Sequence, residues 1–293
     1  MAKQTSDARV NVSQEQRQIL LGVALFEPVN SRSKLTELLR AIDLSTTRGT
    51  SFTAQQVKVI TEDLRGAGHL VSNPSGMDMQ LAKGGPDWLS EASPQELAAL
   101  ERRLSGRREQ GVDGSMIARG RVALRRGDVG CLSSLLVQLR NWQVPAWQVL
   151  VPSAASSRLL ASIPERFVDD AAREMIVYSL LDLRPVSPHW GEALPRVSTA
   201  NRLELTVWFA WSRGLAGDLD GAASLLEPLS SNATVETTRA GLLLLRGDIA
   251  GARAVANQAC QLVRVGRQRK VRLSGPAAPL ARLLLVTGET EHR

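Results

Sequence analysis

Apolar residues recur every three to four positions along most of this chain, and polar capping residues mark where each helical stretch begins. Ser13-Gln-Glu-Gln16 has the form of a capping box, with Ile19, Leu20, Val23, Ala24 and Phe26 behind it at helical spacing. Pro28 biases Glu27 away from the α region and predicts the end of that helix. Asn30 or Ser31 is placed to cap a second helix, whose Leu35, Leu38, Leu39 and Ile42 form an apolar stripe. Thr53 and Gln56 predict a second box, with Phe52 stapled against Val57; Val57, Ile60 and Leu64 then face inward. Gly66 and Gly68 are candidate stops. Beyond them the period changes from 3.6 to 2. Leu70-Val71, a turn through Asn73-Pro-Ser-Gly76, and Met77, Met79 and Leu81 alternating with Asp78 and Gln80 predict a β-hairpin.

Three helices followed by a β-hairpin is the order of a winged-helix domain, which assigns residues 1–90 to one. A winged helix points to duplex DNA, read by the start of the third helix through Thr53, Gln55 and Lys58. The charges pull the other way. Residues 1–90 hold ten Lys/Arg against nine Asp/Glu, and the third helix carries Glu62 and Asp63 beside Lys58 and Arg65. Duplex binding rests on several phosphate contacts, and acidic residues on the same face cancel part of that attraction. A winged helix used for packing or protein contact is the competing reading.

Ser93-Pro-Gln-Glu96 predicts a further helix bearing Leu97, Leu100 and Leu104, followed by a polar, glycine-rich stretch from Ser105 to Gly114. Residues 91–114 therefore read as a linker helix and loop. From 115 to 293 the chain repeats a unit in which an apolar helix runs into Gly-Asp and then into a second apolar helix. Gly127-Asp128, Gly217-Asp218 and Gly247-Asp248 mark it, the last two thirty residues apart, with degenerate hairpins expected around Asp169–Leu183. Glycine supplies a left-handed helix stop, and aspartate caps the next start. These hairpins resemble tetratricopeptide repeats in their turn and in the small residue that follows it, without the full consensus. The fold class is thus mainly α: a winged helix followed by a tetratricopeptide-like helical-repeat region. Leu280–Glu289 reads as the first helix of another hairpin, with Gly288-Glu289 as its turn, so the expectation is a chain truncated at its C-terminus or docked there on a partner. Trp142, Trp147, Trp190, Trp208 and Trp211 are expected in the core or between hairpins.

Composition adds exclusions. Cys131 and Cys260 form neither a disulfide framework nor a zinc pattern, and three histidines argue against a His-based metal site. There is no phosphate loop, dinucleotide fingerprint, H-E-x-x-H or G-x-S-x-G, so the chain reads as non-catalytic, without cofactor or metal. No apolar run reaches the roughly 20 residues of a membrane span, and no secretory signal opens the sequence, which leaves the cytoplasm as the expected location. The net charge of +7 is concentrated in two clusters. Eight arginines lie between 102 and 126, among them Arg102, Arg103, Arg107 and Arg108. Arg264, Arg267, Arg269, Lys270 and Arg272 lie within nine residues. Each cluster reads either as a solvated helix face or terminus, or as a phosphate-contacting patch on nucleic acid.

Taken together, the opening Gln14-Glu-Gln-Arg-Gln-Ile-Leu-Leu21, the Glu27-Pro-Val-Asn-Ser-Arg32 turn and the Leu-Arg-Gly-Asp of 245–248 resemble the leading, non-motor part of large bacterial SWI/SNF-type helicase-like ATPases. The ATPase motifs of that family are absent. The resemblance implies a regulatory or targeting region whose motor lies beyond residue 293, and it transfers no catalytic residue. Two functions follow: an interaction scaffold that binds a protein partner or the remainder of a longer chain, and a duplex-DNA-binding module that uses the winged helix and the arginine clusters.

Overall fold

The computed structural model describes the chain except for residues 1–11, 28, 73–78, 83–87, 90, 106–113, 152–156, 184–185, 265–271 and 291–293; of 288–290 it describes the backbone alone. The described residues are mainly helical, with one two-stranded antiparallel sheet. They form two compact units, residues 1–162 and 163–293. Neither edge of the stretch read as a linker coincides with that division.

In the first unit, α1 (Gln14–Phe26) starts on the full capping box: the Ser13 hydroxyl accepts from the Gln16 amide, and the Gln16 side chain accepts from the Ser13 amide. The periodic residues of α1 suggest one buried face, yet all eight positions from Ile19 to Phe26 are buried. A helix apolar on every side belongs in the middle of a core, and α1 packs against α2 (Arg32–Ala41), α3 (Ala54–Gly66) and two further elements. Ser31 rather than Asn30 caps α2. Thr53 and Gln56 cap α3 reciprocally, and Phe52 before it is fully buried. Gly66 lies inside α3; the left-handed stop is Gly68, where the Gly68 and His69 amides donate back to Arg65 and Leu64. Pro28, the Asn73–Gly76 turn and Met77 lie outside the described residues.

The hairpin forms as β1 (Leu70–Ser72) and β2 (Met79–Leu81), with Leu70 opposite Leu81 and Ser72 opposite Met79. Between α1 and α2, Val29 exchanges both backbone hydrogen bonds with Met79, adding a one-residue bridge on the far side of β2. Periodicity needs several residues to register, so a single paired residue left no trace in the sequence pattern.

α4 (Pro94–Ser105) buries Leu97, Leu100 and Leu104 in the same core as α1, α2 and α3. An ion pair ties it there: Arg17 of α1 grips the Glu96 carboxylate with both terminal nitrogens, at 2.8 and 3.2 Å. This pair, with the Ser93 bonds of the capping box, lowers the Glu96 pKa to about 2. Because the folded value lies below the unfolded one, the stabilisation is present above about pH 5 and is lost as the pH falls through the range down to 2. Both side chains are about one third exposed, so water screens the pair, and Glu96→Gln is expected to cost about 1 kcal/mol at neutral pH. The same variant flattens the acid limb of the stability profile, measured by urea unfolding between pH 7 and pH 3. An unchanged acid limb contradicts this assignment.

The unit continues through α5 (Gly114–Arg126), α6 (Val129–Asn141), α7 (Ala146–Leu150) and α8 (Ser157–Ala161). Trp147 is fully buried, but Trp142, expected in the core, is 60% exposed at the end of α6. The chain leaves α6 through a left-handed turn at Gln143, which ends the helix before the Trp142 ring can fold onto its apolar stripe.

In the second unit, α9 (Val168–Ala172) continues through a π-helical segment, Arg173–Tyr178, into α10 (Ser179–Leu181). A degenerate hairpin was expected here; a single helix with one wider turn occupies the place. α11 (Trp190–Ala193) is short and buries Trp190. The start of α12 (Thr199–Leu215) is held from outside the helix: Asp169 accepts from the Ser198 amide and hydroxyl and from the Asn201 side chain. α12 pairs with α13 (Leu219–Leu226) and α14 (Ala233–Leu245) with α15 (Ile249–Val263), while α16 (Ala278–Thr290) packs on both α14 and α15.

The Gly-Asp turns are one device used three times. Gly127, Gly217 and Gly247 have φ of 64°, 91° and 87°, a region open to glycine at little cost. At each, the glycine and aspartate amides close the preceding helix, as with Gly217 to Gly214 and Asp218 to Arg213. The side chains of Asp128, Asp218 and Asp248 then accept from the amides of Cys131, Gly221 and Gly251 and start the next helix. The fourth expected turn does not form, and α16 runs through Gly288 to Thr290. There the glycine is followed by glutamate, which is not among the residues favoured as an N-cap.

Candidate functional site

The sequence directs attention to the outer face of α3 and to the arginine clusters. Thr53 is exposed, but its hydroxyl is committed to the α3 cap. Gln55 and Lys58 are exposed on the first two turns. Glu62 pairs with Arg32 of α2 at 3.0 Å, and Asp63 and Arg65 follow it on the surface. Val59, 46% exposed, stands among them. The face is therefore mixed in charge and partly apolar. Below it, the last turn of α3 and β1 enclose an open hollow of about 510 Å³ lined by Glu62, Arg65, Gly66, Leu70, Val71 and Ser72.

The first arginine cluster is dispersed by the fold. Arg102 is exposed and, among the described residues, bonds to a carbonyl of its own helix, Ala98. Arg103 reaches across to the carbonyls of Ile42 and Asp43 at the end of α2. Arg126 pairs with Glu101, and Arg125 donates to Ser162. Arg121 is buried: its guanidinium donates to the carbonyls of Ala24, Leu25 and Glu27 at the end of α1 and to Val149 of α7. Burial pulls its pKa down, opposed by the nearby Glu27 charge. A cation at a helix C-terminus meets the negative end of the dipole and its unpaired carbonyls. Arg107 and Arg108 lie outside the described residues, as do Arg267, Arg269 and Lys270 of the second cluster. Of that cluster, Arg264 is the exposed C-cap of α15, and Arg272 is exposed beyond it.

Arg121 carries one local signal in the sequence, its position along α5, while the partners that bury it are distant. It falls three residues after Ala118 and one before Val122, inside the buried stripe of α5, where an exposed charge has no place. The α3–β1 hollow had no such signal, since it depends on how two elements meet.

Among the described residues, no group of three or more His, Cys, Asp and Glu side chains is placed to hold a metal ion, and no helix is long and apolar enough to cross a membrane. Compared with family models, curated proteins and solved structures, the chain matches none.

Proposed function

We propose that this chain is a non-catalytic interaction region, a winged helix joined to tetratricopeptide-like hairpins, which regulates or targets a larger ATPase-type protein in the cytoplasm through contacts with protein. The winged-helix reading is supported by the helix, bridge, helix, helix, hairpin order that Val29 completes. The three identical Gly-Asp turns support the repeat reading.

The observation that carries the functional choice is the internal use of the arginines. Arg32, Arg103, Arg121, Arg125 and Arg126 each bond within the first unit, which leaves fewer cations for phosphates on that unit. A duplex-DNA module working through α3 is the second reading, favoured by the exposure of Gln55 and Lys58. Fluorescence titration of a labelled duplex separates the two. Binding of the chain is expected to be weak, and Lys58→Glu or Arg102→Glu to change it by less than about twofold. A tenfold loss in either variant supports the DNA module instead.

A further inference from the structure

Among the described residues, the sheet of the first unit has one edge unpaired, and the hydrogen bonds fix which backbone groups it presents. Met79 exchanges both its bonds with Val29, and the Leu81 amide donates to the Glu27 carboxylate, so these residues of β2 point away from β1. In an antiparallel ladder, residues directly opposite one another either bond mutually or both point outward. Their partners Ser72 and Leu70 therefore direct their N–H and C=O groups away from β2, to the outer edge of β1. The Ala82 amide donating to the His69 carbonyl fits the same alternation. An extended segment presents matching groups at that two-residue interval, and neither lysine nor proline interrupts 70–72 to blunt the edge.

Beside that edge lies the hollow already described. Gly66 is one of its lining residues, and a Cβ added there meets nothing within 4 Å. Val71, 45% exposed, offers an apolar contact. Of the two charged lining residues described, Glu62 is held by Arg32, while Arg65 has no partner among the described residues, so the charge of the lining left unpaired is positive.

We propose that the edge of β1 binds an extended segment of a protein partner as an added strand, with an apolar side chain against Val71 and an acidic side chain opposite Arg65. The inference rests on the interaction-region reading for its choice of a protein partner, and on the geometry for everything else. Main-chain bonds supply the affinity of such added strands, and the adjoining pocket supplies the specificity.

The test is a selection of linear seven-residue peptides displayed on phage, made on the full chain and counter-selected on Gly66→Trp, which adds a bulky ring at the lining of the hollow. The expected winners alternate apolar and polar residues and include aspartate or glutamate. A synthetic winner should shift the Leu70 and Ser72 amide resonances and slow their hydrogen exchange. It should lose at least tenfold in affinity against both Gly66→Trp and Arg65→Glu, and methylation of alternate backbone nitrogens should abolish its binding. The proposal is overturned if no peptide is enriched over the counter-selection, if basic peptides win, or if the winner shifts other amides and leaves Leu70 and Ser72 unmoved. Tight, salt-dependent DNA binding overturns the interaction reading itself; a failed selection with weak DNA binding overturns the groove alone.

Discussion

Arg121→Ala is expected to destabilise the first unit by about 3–5 kcal/mol, the sum of a buried cavity and carbonyls left without donors. The guanidinium joins α5 to the end of α1 and to α7 through four carbonyls, with no carboxylate bonded to it among the described residues. Its loss therefore uncovers the helix end around which the unit is built. Arg121→Lys keeps a charge but replaces a planar fork of five donors with a compact head of three, so it recovers only part of the stability. Native-state hydrogen exchange at the α1 amides reads the effect without involving the second unit. A loss below 1 kcal/mol removes Arg121 from its central position in this account.

Gly241→Val tests the second unit in the same way. A Cβ on Gly241 falls 2.6 Å from the Ala277 Cβ and 2.8 Å from the Trp211 ring. Neither neighbour is the far end of a flexible chain, and Trp211, Gly241 and Ala277 are all buried. Overpacking at such a site costs about 1–3 kcal/mol, although valine is the better helix former. The α14 amides should exchange faster, while those of α1 are unchanged. Undiminished protection of α14 shows that the α12–α14 approach is looser than described.

The readable parts of this chain were those governed by local rules. Ser13, Thr53 and the three Gly-Asp pairs set helix ends through contacts three to five residues away, and those ends form as the spacing predicts. What escaped depends on distant partners. Val29 is a strand residue only because Met79 lies beside it. Arg121 sat among seven other arginines that suggested a charged surface, and its burial is set by the C-terminus of α1, nearly a hundred residues earlier in the chain. Gly288 shows the opposite error. It matched the glycine of the turn but lacked the aspartate that starts the next helix. For the site, the exposure of Gln55 and Lys58 followed from the helical period. The pairing of Glu62 with Arg32, which leaves Arg65 at the rim of a hollow, required the meeting of α2, α3 and β1.

The central claim is that this chain binds protein and is not held on DNA by its arginines. The salt dependence of duplex binding tests it most directly, because each phosphate neutralised adds about 0.9 to the slope of log affinity against log salt. Between roughly 50 and 200 mM salt, the account predicts weak binding with a slope corresponding to no more than about two phosphate contacts. A slope of about six or more contacts, with an affinity loss of a thousandfold or more across that range, contradicts it.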